Sequence, residues 1–135
     1  MTDRPGTSSG LLDTSVVVDV AQLADKIPDD SAISAVTLAE LSAGLHTPAK
    51  PEAKAERQLR LQWVERTFDP LPFDAEAARV YGSLAALVEA SGRKPRKRIA
   101  DLQIAATAVT NGLALYTRSP DDFRGLAAFL HVVAL

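Results

Sequence analysis

The chain contains no cysteine, which excludes a disulfide framework, a thiolate metal site and a thiol nucleophile together. Histidine is scarce as well. His46 lies in a proline-rich loop and His131 opens the last strand candidate, and neither has a nucleophile close by in sequence, so both read as surface or structural residues. No apolar run approaches the ~20 residues of a membrane span, and the N-terminus lacks a basic segment followed by an apolar one. The expectation is a cytoplasmic protein with no membrane contact. Glycine-rich phosphate loops are missing too: there is no Gly-x-Gly-x-x-Gly and no Gly-x-x-x-x-Gly-Lys-Ser/Thr, which leaves nucleotide binding poorly supported. Strong charge of one sign is also absent, the formal net charge being −2, so the surface as a whole does not attract nucleic acid.

What is present fits one ordinary domain. The 135 residues are 47% hydrophobic and 24% charged, enough for a normal core. Charge is unevenly distributed: Arg93, Lys94, Arg96, Lys97 and Arg98 place five of fifteen basic residues in six positions, a local patch suited to phosphates. Residues 1–10 are polar, with Pro and Gly and no periodicity, and read as a flexible leader to a single domain over 11–135.

Apolar patterning then alternates between strand and helix. Leu11 to Asp13 reads as a strand and about Ser15 to Ala24 as a helix. A short strand follows at 32–34, then a helix from Val36 closed by Gly44. Glu52 to Thr67 reads as a surface helix with Leu59 and Trp63 on its apolar stripe. Pro70 and Pro72 confine residues 69–73 to an edge strand at most. Asp74 caps a helix running to about Ser91, with Ala77, Ala78, Tyr81, Leu84, Ala85 and Val88 on one face. Ile99 to Asn111 is a nearly all-apolar helix stopped by Gly112. Strands at 113–117 and 131–135 flank a turn or short helix at 119–123. Alternating strands and helices predict an α/β fold: a three-layer α/β/α arrangement around a central, largely parallel sheet.

Four carboxylates stand at strand ends or in apolar helices: Asp13, Glu40, Asp101 and Asp122. Each has a capping explanation. Asp13 precedes a helix, Thr37-Leu-Ala-Glu40 and Ser119-Pro-Asp-Asp122 spell capping boxes, and Asp101 falls in a first helical turn. Taken together they point elsewhere. Carboxylates meeting at one sheet edge repel unless a cation neutralises them, and an all-oxygen donor set suits Mg2+ or Mn2+. Such ions activate water and stabilise charge in phosphoryl chemistry, and the basic loop just before Asp101 would hold a nucleic-acid backbone.

Leu11-Leu12-Asp13-Thr14-Ser15, Val36-Thr37-Leu38-Ala39-Glu40-Leu41, Arg98-Ile99-Ala100-Asp101-Leu102-Gln103-Ile104-Ala105-Ala106 and Thr117-Arg118-x-x-x-Asp122-Phe123 resemble, in order and spacing, the PIN-domain ribonucleases, and more closely the VapC toxins of toxin–antitoxin pairs. The resemblance implies a Mg2+- or Mn2+-dependent endoribonuclease whose catalytic and metal-binding residues are Asp13, Glu40, Asp101 and Asp122. Thr14 would support the first Asp. Arg96, Lys97, Arg98, Arg118 and Ser119 are candidates for RNA backbone contacts. It also implies a homodimer, a neutralising VapB-type antitoxin, and contact with DNA only through that antitoxin. At Ser119 the family commonly carries Asn, and Pro120 follows, so Asp121 stands as an alternative to Asp122. The same departure motivates a different class of function, a PIN-like binding module that acts through complex formation with little catalysis. A phosphoacceptor receiver domain would need a lysine after a late strand, and none follows Lys97.

Overall fold

The computed structural model describes residues 9–135; of the leader expected over residues 1–10, residues 1–8 lie outside the described residues. The chain runs β1 (Gly10–Leu12), α1 (Thr14–Val17), α2 (Val20–Leu23), β2 (Ser31–Ala32), α3 (Ala35–Gly44), α4 (Pro51–Thr67), α5 (Ala75–Ala90), α6 (Ile99–Thr110), β3 (Ala114–Thr117) and β4 (Val132–Ala134), with 3-10 turns at Pro95–Lys97 and Pro120–Phe123. All four strands are parallel, in the order β2-β1-β3-β4.

Side chains of a strand alternate between faces, and here each face meets its own layer of helices. Leu11 and Leu115 join Leu84, Val88, Leu102, Ile104 and Ala105, the inner sides of α5 and α6. Leu12 and Tyr116 join Val16, Val17, Leu41 and Val64, from α1, α3 and α4. The predicted three-layer arrangement is therefore present, with one core on each side of the sheet. The fully inaccessible leucines contribute roughly 1.5–3 kcal/mol each by burial.

Gly10 belongs to β1 and not to a leader. A Cβ there would lie 2.5 Å from the Tyr116 ring and 2.9 Å from Pro28 Cγ. Glycine is needed at this position because β1 passes directly beneath an aromatic ring.

Several local expectations change. The first helix is two short ones, broken at Val18 and Asp19. Helix α3 begins at Ala35 because Ser34, expected as a strand residue, caps it by accepting from the backbone N–H groups of Val36 and Thr37. The edge strand at 69–73 reduces to a single bridge between Leu71 and Ser34. On α4, Leu59 points outward at 65% exposure, and Leu61, Trp63 and Val64 make the contact with the core. Asp74 caps α5 as expected, accepting from Ala77 N–H at 2.9 Å. Helix α6 buries Leu102, Ile104, Ala105, Ala106, Thr107 and Ala108, as its composition requires.

Candidate active site

Parallel strands end on the same edge, so the register of β1 with β3 determines what stands at the top of the sheet. Leu12 pairs with Tyr116, and the Asp13 N–H continues the ladder to Tyr116 O at 2.9 Å. Asp13 and Thr117 thereby become neighbours at the carboxyl edge. Asp13 is 5% exposed and Thr117 is fully buried.

Asp13 occupies the N-cap position of α1, yet its side chain caps nothing. One carboxylate oxygen, Oδ2, accepts the hydroxyls of Ser15 and Thr117, each at 2.8 Å. The capping explanation fails at this residue. These hydroxyls are in turn held: Ser15 Oγ accepts Arg118 N–H at 3.1 Å, and Thr117 Oγ1 accepts Ser119 N–H at 2.9 Å. A nearly buried carboxylate with two hydroxyl donors keeps one orientation, because any other rotamer would leave these groups unpaired.

Thr14, expected to support Asp13, supports Glu40 instead. Its hydroxyl donates to Glu40 Oε1 at 2.7 Å and lies 3.0 Å from Thr37 Oγ1. The strand-to-helix turn directs consecutive side chains apart. Ser15, one residue further on, folds back to Asp13, while Thr14 faces α3. The capping box at Thr37 and Glu40 is also absent, since Ser34 caps that helix.

Asp101 does lie in the first turn of α6, as expected. Its pKa is pushed up to about 6, first by burial and then by repulsion from Asp122, Asp13 and Glu40, with Arg98 partly opposing the rise. Asp13, Glu40 and Asp122 therefore lie close enough to act on Asp101, although the four come from α1's N-cap, α3, α6 and the 3-10 turn after β3. Asp122, not Asp121, is the residue turned toward Asp101. Asp121 is exposed, and its backbone oxygen accepts from Arg93 at 3.1 Å. No side chain caps the Pro120–Phe123 turn, so the capping-box reading of Ser119 fails as well.

The four are not drawn into a closed cluster. Among the described residues, no group of three carboxylate or imidazole side chains is gathered as a ready-made metal site. Glu40 is held by Thr14, and Asp122 is paired with Arg98, whose guanidinium donates to Asp122 Oδ1 and lies 4.0 Å from Asp101 Oδ2. The donor chemistry nonetheless fits a hard divalent ion. The groups are carboxylates, burial and then repulsion from its acidic neighbours raise Asp101, and both histidines are exposed.

The basic candidates differ from one another. Arg96 and Lys97 are exposed and make no ion pair among the described residues. Arg118 pairs with Asp19 at 2.7 Å, which fastens the end of β3 to the α1–α2 break. Ser119 contributes its backbone N–H to Thr117. Ser15, Thr37 and Thr117 were not singled out from sequence. Hydroxyl residues adjoining a strand-end Asp, or closing the neighbouring strand, are the available signal for two of them.

The chain resembles known proteins over nearly its whole length. The family model for the PIN domain matches residues 11–128. Ribonuclease VapC5 of Mycobacterium tuberculosis is 40% identical over 123 residues, covering 88% of each chain. Ribonuclease VapC4 of the same organism is 36% identical over 116 residues, covering 82% of this chain and 86% of that one. Among solved structures, a chain of the M. tuberculosis VapBC-5 toxin–antitoxin complex superposes with a TM-score of 0.79 at 38% identity, over 94% of this chain and 98% of that chain. A match over nearly the whole domain, on a parallel sheet whose carboxyl edge carries the acidic residues, makes the chain a member of the PIN-domain family.

Proposed function

We propose that the protein is a metal-dependent endoribonuclease, the toxin of a VapBC-type pair neutralised by a cognate antitoxin. The observation that carries this reading is the PIN-domain match over residues 11–128 on a sheet edge where Asp13 is nearly buried against the hydroxyls of Ser15 and Thr117, and where one guanidinium, that of Arg98, lies against both Asp101 and Asp122. Four carboxylates in repulsion form a site that gains stability by binding positive charge.

In this reading Asp13 and Asp101 hold Mg2+ or Mn2+, with Glu40 and Asp122 completing or orienting the site. When bound, the ion supplies an activated water for in-line attack and charge stabilisation at the phosphodiester. The protein's own part is positional. Ser15 and Thr117 engage Asp13 Oδ2 and leave its other oxygen without a hydrogen bond among the described residues. Thr14 aims Glu40. Arg96 and Lys97, exposed on the turn before α6, offer cations to the RNA backbone on either side of the cut. Neutralisation by an antitoxin belongs to the same reading and is supported by the similarity to the VapBC-5 toxin–antitoxin structure; homodimer formation is part of the proposal as well.

The test is cleavage of cellular RNA by purified protein with Mn2+ or Mg2+, with and without chelator. Asp13→Asn and Asp101→Asn should abolish cleavage and relieve growth inhibition. Fully toxic variants would refute the mechanism. A stable antitoxin complex with no cleavage under any metal would favour the binding-module alternative.

A further inference from the structure

Of the basic residues at 93–98, Arg98 alone is committed to the acidic site. Its backbone is pinned on both sides: its N–H donates to Pro95 O at 2.8 Å, and its carbonyl accepts Leu102 N–H at 2.8 Å. Its guanidinium reaches Asp122 Oδ1 and approaches Asp101 Oδ2 at 4.0 Å. Asp122 is equally fixed in its main chain. Its N–H donates to Ser119 O at 3.0 Å, the adjacent Phe123 is 2% exposed, and Arg93 braces the turn through the carbonyls of Asp121 and Arg124. With both backbones held, only the side chains of this pair are free to rearrange. The other acidic groups have different partners: hydroxyls hold Asp13 and Glu40. Asp122 is the one that accepts a hydrogen bond from a cation, with Asp101 within 4.0 Å of the same guanidinium.

We propose that Arg98 is an exchangeable counter-ion, which holds Asp122 until a divalent cation replaces it and then turns its guanidinium to an RNA phosphate. The inference rests on the metal reading above. A guanidinium and a divalent ion compete for the same carboxylate oxygens, so loading becomes an exchange of one positive charge for another. Phosphate offers the guanidinium the same forked acceptor geometry as carboxylate, so the displaced side chain gains a new partner instead of lying unpaired. The metal-free protein is thereby spared the full repulsion of its own active site.

The experiment measures metal binding, not cleavage. Mn2+ is titrated calorimetrically into full-length wild type, Arg98→Met and Arg98→Lys, each checked for folding by circular dichroism. Removing the competing charge should tighten Mn2+ binding roughly three- to tenfold in Arg98→Met, a modest part of the effect of a unit charge at short range. Arg98→Lys, which keeps the charge, should stay within about twofold of wild type. Unchanged or weaker binding by folded Arg98→Met would overturn the proposal. A second measurement needs no variant to be stable under titration: the Arg98 side-chain Nε–Hε resonance, identified by its loss in Arg98→Lys, should shift as wild type is saturated with Mg2+. A resonance that stays in place while metal binds overturns the counter-ion role alone. A wild-type protein that binds neither ion overturns the metal reading and this inference with it.

Discussion

The Thr14 hydroxyl donates to Glu40 Oε1 at 2.7 Å, across 26 positions of sequence, and not to the carboxylate of Asp13 beside it. The residue that follows the first Asp thus orients a second acidic group, and it links α1 to α3 at the mouth of the site. Replacing Thr14 with Val keeps the shape and removes the donor. RNA cleavage should fall by about 10- to 100-fold, the usual consequence of losing a group that orients a metal ligand. Thermal stability should fall as well, by about 1 kcal/mol, because the buried Thr37 hydroxyl loses its partner at 3.0 Å. Cleavage rates alongside a thermal melt would check both halves.

Thr117 sits at the other side of Asp13 and is fully buried. In Thr117→Val, Asp13 Oδ2 loses one of its two hydroxyl donors and the Ser119 N–H loses its acceptor. The expected cost is about 1–3 kcal/mol by urea denaturation, set by the desolvation of groups left unpaired. Ser15→Ala, at a position open to water, should cost less.

Asp101 makes the metal-free protein sensitive to pH. Its pKa is 3.8 as the ordinary value and about 6 in the fold, so between these values the folded state binds more protons than the unfolded one. The slope of stability with pH follows the protons bound by the unfolded minus the folded state and is negative here. This group's contribution therefore falls as pH rises from about 4 and levels off above about 6. Mn2+ must displace the proton to bind, so the rise in melting temperature it causes should be larger at pH 7.5 than at pH 5. Melts with Mn2+ and with EDTA at the two pH values would show it.

Gly10→Ala should destabilise by about 1–3 kcal/mol, because the new methyl meets the Tyr116 ring at 2.5 Å and Pro28 at 2.9 Å. The same melts would read it. A neutral result would mean that β1 can shift along its partners, which should then also reduce cleavage by displacing Asp13.

The fold was legible in outline. Helical apolar patterns and short apolar runs identify the long helices α4, α5 and α6 and the alternation that makes a parallel sheet, most clearly in α5 and α6, which bury a continuous face. Short elements were less legible. The break at Val18 and Asp19, and the role of Ser34 as a cap instead of a strand residue, depend on where neighbouring elements sit. At the site, the acidic residues could be recognised by type, but their hydrogen-bond partners could not. Local sequence patterns offer a helix-terminus role for each of the four; Asp101 keeps it, and at the other three hydroxyls or a guanidinium take its place. Ser15 bonds Asp13 from two positions away, whereas Thr117 does so across 104, a relation that no local spacing encodes.

The parallel pairing of β1 with β3 also sets a schedule for synthesis. Asp13 and Thr117 are separated by 104 positions, and Asp122 comes later still. At ~5–20 residues per second, the first carboxylate waits roughly 5–20 s for the strand that orients it. A ribosome carrying this nascent chain therefore holds no assembled acidic site until Asp122 has been made. An antitoxin translated alongside would have that interval in which to accumulate before the site can act.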